Sequence, residues 1–237
     1  MIRAVILDWA GTTVDLGSQA PAAVLRELFA DFGVTITVEE ARRDMGLPKK
    51  EHIQAIVNLP RIREAAPHLN VDALYEQFVP RQTEALLRYS NVIDGVPDAI
   101  AWMRSRGYRI GSSTGYTRPM MNALVPHAAA QGYSPDANIC PDDVGAGRPS
   151  PWMAFANMRA LDVYPPQACL KIGDTPADID EGRNAGMWTI GIVDTGNEAG
   201  NPDRLIAAGA HLLASSVAAC RDAIVEIERR IATGMHP

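Results

Sequence analysis

Three short polar segments, each following an apolar run, carry the residues with the most chemical potential. Asp8 closes Ala4-Val5-Ile6-Leu7, Thr114-Gly115 closes residues 108–113, and Gly173-Asp174-Thr175 closes residues 169–172. In an open parallel sheet such positions face the crevice where ligands bind. Asp8 and Asp174 could supply hard oxygen ligands for Mg2+ from neighbouring strand ends. Asp8 could also act as a nucleophile, splitting a phosphoryl transfer into two steps. Thr114 and the backbone N–H groups near Gly11 and Gly115 could cradle phosphoryl oxygens, and such transfers depend mainly on positioning and charge neutralisation. The competing reading is structural: aspartates after strands often cap the next helix, and Asp178 especially fits that description.

The elements that must position these residues follow from hydrophobic periodicity. Residues 4–7 read as a fully buried strand. Val24, Leu25, Leu28, Phe29 and Phe32 fall on one helical face, with Gly33 placed to end the helix. Thr37-Val38-Glu39-Glu40 has capping-box spacing and opens a helix that Gly46 can close. Residues 49–59 and 71–89 read as further helices, with Pro60 and Pro67 between them. From Val92 helices and strands alternate: helix 98–106, strand 108–113, helix 120–131, strand 138–140, helix 151–161, strand 169–172, helix 178–184, strand 188–193, a weaker strand in 206–215, and helix 218–231. This order predicts an α/β fold, a Rossmann-like parallel sheet with helices on both faces, plus a small inserted all-helical cap domain. Residues 1–16 and 91–237 are expected to form the core and residues 17–90 the cap.

The 237 residues suffice for one ordinary domain with a modest insertion. A net charge of -6 provides no basic field for nucleic acid or an anionic membrane, so neither is an expected partner. Cys140, Cys169 and Cys220 lie far apart without C-x-x-C spacing, which disfavours a zinc site or disulfide framework. The apolar run ended by Asp8 is too short for a signal peptide, and no run approaches the ~20 residues that span a bilayer. A cytoplasmic location is the expectation.

Taken in chain order, Asp8-x-x-Gly11-Thr12, Ser113-Thr114-Gly115, a basic residue, and Gly173-Asp174-Thr175-x-x-Asp178 resemble the four motifs of the haloacid-dehalogenase superfamily. Further segments are similar to the phosphonoacetaldehyde hydrolases within it. These are residues 8–15, Met45-Gly46-Leu47-Pro48-Lys49, Gly115-Tyr116-Thr117-Arg118, Pro141-Asp142-Asp143-Val144, Gly147-Arg148-Pro149 and residues 181–188. The resemblance implies cleavage of the C–P bond of phosphonoacetaldehyde to acetaldehyde and phosphate, with Asp8 as nucleophile and Lys49 forming a Schiff base. It implies Mg2+ held by Asp8, the Ala10 carbonyl and Asp174, with Asp178 orienting the metal's waters. Arg148 would neutralise the nucleophile and the phosphoryl group. Gly11, Thr12, Thr114 and Gly115 match the phosphate-binding segments, and Met45, His52 and Tyr116 match positions near the site. A homodimer through the caps is also implied.

Ala10 is the informative departure. Superfamily phosphatases usually carry a second Asp there to protonate a leaving alkoxide, and a methyl group cannot. C–P cleavage would instead leave a carbanion, for which a lysine iminium formed on the adjacent aldehyde is an electron sink. The amine must be neutral to condense, which calls for desolvation or a nearby cation such as Lys50 or the metal. Lys49 and Lys50 read otherwise as solvated residues at a helix start, although the helix dipole disfavours lysine there. His52, three positions after Lys49, lies on nearly the same face and could shuttle protons at neutral pH, or be a solvated helix histidine. Tyr116 and Trp9 could be packing residues. Another phosphonate or a phosphate monoester is the alternative substrate, and a non-catalytic binding protein is the alternative class. The stretches after Val193 and between Pro60 and Val71 are shorter than the resemblance leads one to expect. Both changes are expected to leave the chemistry alone.

Overall fold

Four apolar residues in succession, Ala4–Leu7, form the central strand β1 with every side chain buried. Alternation along the strand divides them between two cores: Val5 and Leu7 join one hydrophobic cluster, Ala4 and Ile6 another on the opposite face. β1 pairs in parallel with β2 (Arg109–Ser113) and β4 (Cys169–Gly173), and Leu7 lies opposite both Ser112 and Ile172. This register brings Asp8, Thr114 and Asp174 out of the sheet side by side. With β3 (Ala137–Ile139), β5 (Trp188–Ile192) and β6 (Leu212–Ala214) the sheet is all parallel, in the order β3-β2-β1-β4-β5-β6. Parallel neighbours need crossovers, which here are helices covering both faces. The computed structural model describes residues 1–198 and 202–237.

Between β1 and residue 91 the chain makes α1 (Gln19–Asp31), α2 (Val38–Arg42), α3 (Lys49–Val57), α4 (Pro60–Ala65) and α5 (Val71–Tyr89), with no strand. α1 begins where the Asp15 carboxylate accepts from Gln19 N–H at 2.9 Å and Ala20 N–H at 3.0 Å, satisfying donors that a helix start leaves free. Val24, Leu25, Leu28 and Phe29 are its buried stripe, which packs on α5. The Thr37–Glu40 capping box forms, with Glu40 N–H donating to Thr37 Oγ1 at 3.1 Å and Thr37 N–H to Glu40 Oε2 at 2.8 Å. α2 ends at Arg42, and a turn through Gly46, with φ +93°, delivers the chain to α3.

The remaining helices are α6 (Val96–Ser105), α7 (Arg118–Ala129), α8 (Pro141–Val144), α9 (Trp152–Ala160), α10 (Pro176–Asn184), α11 (Asp203–Ala207) and α12 (Arg221–Ala232). Three short elements differ from the periodicity reading. α4 forms where Pro60 suggested a break, because a proline in the first turn needs no N–H partner. α8 is a single unforeseen turn. Residues 206–215 divide between the end of α11 and β6, separated by Gly209 at φ +89°. Part of the 196–203 stretch, residues 199–201, lies outside the described residues.

The helical insertion sits directly on the sheet's C-terminal edge. α5 packs on α7, and the turn before α3 presses on the loops after β2 and before α9. A Cβ on Gly115 would lie 2.7 Å from the Leu47 carbonyl oxygen, and one on Gly147 2.2 Å from Pro48 Cγ. Only glycines allow so close an approach.

Candidate active site

Leaving β1, Asp8 donates its N–H to Ile172 O at 2.9 Å, and the loop folds back so that Thr12, Thr13 and Val14 N–H all donate to Trp9 O. The Gly11 backbone is left-handed, φ +82°, and a Cβ there would meet Asp174 Oδ2 at 2.4 Å. Thr12 donates its hydroxyl to Asp174 Oδ1 at 2.8 Å. Its side chain therefore supports a carboxylate rather than facing the cleft.

Carboxylate oxygens of Asp8, Asp174 and Asp178, all buried, lie within 4.8 Å of one another. Burial pushes Asp174 well above the ordinary carboxylate range, and the charges of Asp8 and Asp178 push it further. Asp8 is also raised by burial, against the pull of Arg148. At Asp178 burial acts upward too, but Arg148 and Lys171 outweigh it and the carboxyl is held below its ordinary value. Asp178 also accepts from Thr175 Oγ1 at 2.6 Å, and the capping box of α10 is formed by Thr175 N–H donating to Asp178 Oδ2 at 3.3 Å and Asp178 N–H donating to Thr175 Oγ1 at 3.4 Å. The helix-cap reading and a place beside the cluster thus hold together for this residue.

Arg148, 1% exposed, spans the group. Its Nη2 donates to Asp8 Oδ1 at 2.6 Å and Ser113 O at 2.7 Å, Nη1 lies 3.0 Å from Asp178 Oδ1, and Nε donates to Glu181 Oε2 at 3.2 Å. Beneath it the Lys171 ammonium reaches Asp178 Oδ1 at 2.9 Å, Glu181 Oε2 at 3.1 Å and Ser113 Oγ at 2.8 Å. Sequence reasoning missed Lys171, Glu181 and Ser113. The signal was available: Lys171 lies in a run read as a strand of the parallel sheet, strands of such sheets are buried on both faces, and a buried lysine requires partners. Asp8, Asp174, Asp178 and Glu181 are four buried carboxylates set against two buried cations, Arg148 and Lys171. A divalent cation among the first three would balance them, and hard oxygen donors suit Mg2+.

The insertion contributes from the other side. Lys49 is buried, with Nζ 3.9 Å from Met45 Sδ and 5.4 Å from the centre of the Tyr116 ring. Burial lowers its pKa to about 8, with Asp8 opposing and Arg148 assisting. Lys50 has no part in this, because it is exposed and paired with Asp72 at 2.5 Å. Tyr116 is buried with its hydroxyl unpartnered among the described residues, and its N–H donates to Thr114 Oγ1 at 3.1 Å. That contact leaves the Thr114 hydroxyl proton free to donate. Asp8, Ala10, Thr114, Gly115, Tyr116 and Arg148 line one side of a narrow cleft, and Met45, Gly46, Lys49 and Pro21 line the other. Gly11, Thr12, Asp174, Asp178 and His52 stand behind this surface.

His52 corrects the expectation of a group titrating near neutrality, and it is not a solvated helix histidine. It is wholly buried, neither ring nitrogen makes a hydrogen bond of ordinary geometry among the described residues, and burial followed by the charge of Lys49 lowers its pKa to about 3 against a weak upward pull from the Ala41 backbone. The imidazole therefore stays neutral at physiological pH. Its folded pKa lies below the ordinary histidine value of 6.5, so between pH 6.5 and about 3 the unfolded chain takes up a proton that the folded chain refuses. Stability is lost as pH falls through that window. Urea midpoints at pH 7.5 and pH 5 are expected to drop more for the native chain than for His52→Leu. Equal drops would contradict this burial.

The shortened stretch after β5 reaches the site. Thr195 Oγ1 donates to Gly11 O at 2.8 Å, and Asn197 N–H donates to Asp174 Oδ2 at 2.6 Å. A Cβ on Gly196 would fall 2.1 Å from Asp174 Cβ.

A parallel sheet carrying paired carboxylates on adjacent strand ends beneath a helical insertion defines a class, and the chain belongs to it: the haloacid dehalogenase-like hydrolase family matches residues 2–186. Within that family it falls among the phosphonoacetaldehyde hydrolases. It is 42% identical to the phosphonoacetaldehyde hydrolase of Paraburkholderia xenovorans, the match covering 100% of this chain and 99% of that one. It is 48% identical to that of Bacillus cereus, over 84% of this chain and 78% of that one. A crystal structure of a phosphonoacetaldehyde hydrolase-like protein from Oleispira antarctica superimposes with a TM-score of 0.96 at 36% identity, covering 100% of this chain and 96% of that one. Among the described residues no helix is long and apolar enough to cross a membrane.

Proposed function

We propose that the chain hydrolyses phosphonoacetaldehyde to acetaldehyde and phosphate, with Lys49 and Asp8 as its two covalent catalysts. The observation that carries this reading is a buried amine with a pKa lowered to about 8, lining the same cleft as the strand-end carboxylate. The names of the relatives agree with it.

The phosphonate group is held by the Thr114 hydroxyl, the backbone at Gly115 and the Arg148 guanidinium; the Gly11 N–H, expected to join them, donates instead to Val14 O at 2.7 Å. The aldehyde points to Lys49. Neutral Nζ adds to the carbonyl carbon, and the carbinolamine takes up one proton from solvent as water departs, leaving a protonated imine. An Asp8 oxygen then attacks phosphorus, and the C–P electron pair flows into the iminium to give an enamine. No acid is needed at position 10, because the leaving electrons go to nitrogen rather than to an alkoxide. Protonation at carbon and hydrolysis of the imine release acetaldehyde and free Lys49, while water cleaves the aspartyl-phosphate and frees Asp8. Asp8, the Ala10 carbonyl and Asp174 would hold Mg2+, with Asp178 ordering its waters, and the ion when bound supplies charge neutralisation at the phosphoryl group.

Residues 17–90 act as a cap domain in this reading: it opens to admit substrate and closes to exclude bulk water. Assembly as a homodimer and a cytoplasmic location complete the proposal. Acetaldehyde release coupled to NADH oxidation, with phosphonoacetaldehyde and Mg2+ present, is expected to give turnover that a chelator abolishes and added Mg2+ restores. Absence of turnover by folded, metal-loaded protein would redirect the assignment to another phosphonate or a phosphate monoester.

A further inference from the structure

Away from the two connecting chains, two hydrogen bonds join the helical insertion to the rest of the protein among the described residues. Asn197 Nδ2 donates to Arg42 O and Arg204 Nη2 to Arg43 O, both at 3.1 Å. These carbonyls lie at the end of α2, directly ahead of the turn that carries Met45 and Lys49. Glu198, 4% exposed, holds both donors: its Oε1 accepts from Asn197 Nδ2 at 3.0 Å and from Arg204 Nη1 at 2.6 Å. A charge-assisted pair around a buried carboxylate orients the arginine more firmly than a free surface side chain would be.

The same loop faces inward as well. The Asn197 N–H rests on Asp174, Thr195 Oγ1 on Gly11 O, and Thr195 O accepts from Gly17 N–H at 2.8 Å in the first connecting chain. One peptide therefore bonds a carboxylate of the acidic cluster through its backbone and the insertion through its side chain. The tight fit of Gly196 against Asp174 leaves that peptide little room to shift independently.

We propose that Asn197, Glu198 and Arg204 form a latch that holds residues 43–49 shut over the cleft, and that the Asn197 peptide couples this closure to divalent-cation binding at the acidic cluster. The three are positioning residues, and none lines the cleft. The latch rests on the reading that Lys49 of the insertion must meet Asp8. Its test is nevertheless separable from that reading, because it needs no substrate.

Hydrogen exchange of the full chain, read by mass spectrometry on peptides spanning residues 43–49 with and without Mg2+, examines both parts. Asn197→Ala keeps the N–H on Asp174 and loses the bond to Arg42 O, while Arg204→Gln loses the ionic donor to Glu198. Each is expected to speed exchange at 43–49 by about three- to tenfold, the opening change that loss of one such bond produces. Peptides from β1 and β4 should keep their protection, showing that the core stays folded. Mg2+ should slow exchange at 43–49 in the native chain and do so less in Asn197→Ala, as reciprocal coupling requires. Unchanged exchange in both variants would overturn the latch, and an equal Mg2+ effect in native and Asn197→Ala chains would overturn the coupling. If the native chain fails to turn over phosphonoacetaldehyde, the functional reading falls while these exchange results still decide the latch.

Discussion

Lys49→Arg is expected to lower turnover of phosphonoacetaldehyde by at least about a thousandfold, roughly 4 kcal/mol in barrier. A guanidinium stays protonated and does not condense with an aldehyde, so the electron sink for the C–P bond disappears while positive charge beside Asp8 remains. Among the described residues Lys49 makes no ion pair; its neighbours are the Met45 sulfur and the Tyr116 ring. Lys49→Met therefore serves as a second variant that removes the amine at similar length with little demand on the fold. Near-normal turnover in either would sink the imine mechanism. The native amine carries a pH signature as well. Desolvation lowers its pKa to about 8, so the neutral, reactive form gains population as pH rises through 8 instead of through the ordinary lysine value of 10.5. Borohydride trapping of aldehyde on Lys49 should follow that curve, and an inflection near 10.5 would contradict the burial.

Asp8→Asn is expected to reduce phosphate release by at least about ten-thousandfold, more than 5 kcal/mol in barrier. An amide oxygen is a poor nucleophile toward phosphorus, and the substitution also withdraws one negative charge from the acidic cluster. Arg148 keeps Asp178, Glu181 and the Ser113 carbonyl as partners, so the scaffold is expected to hold. The two substitutions divide the reaction. Asp8→Asn should still be trapped by borohydride at Lys49 without releasing phosphate, whereas Lys49→Arg should give no trapped adduct. Phosphate release by Asp8→Asn at a native rate would remove the aspartyl-phosphate from the mechanism.

Much of this site is written in short stretches of sequence, because the forces that build them are local. β1 ends at Asp8 because four apolar residues bury on both faces and a carboxylate cannot continue the run. α2 begins at Thr37 because side chain and backbone three residues apart satisfy each other. Gly11 and Gly46 mark left-handed turns that other residues adopt at a cost. The network under Arg148 was less legible. Ser113, Lys171 and Glu181 come from β2, β4 and α10, and only the parallel register brings them into one charged group. The α4 and α11 helices were missed because each is a turn or two long, shorter than the window over which periodicity can be read.

By itself, then, the sequence determined where strands end, which loops carry carboxylates, that position 10 lacks an acid and that a lysine opens a helix in the insertion. The tertiary structure decided the electrostatic state of those groups. Lys49 has its pKa lowered to about 8 because burial desolvates it, His52 is neutral because the insertion surrounds it, and the loop after β5 matters because it folds onto Asp174. Desolvation and Coulomb interactions act through space, so their magnitude is set by segments that are distant along the chain and meet only once it has folded.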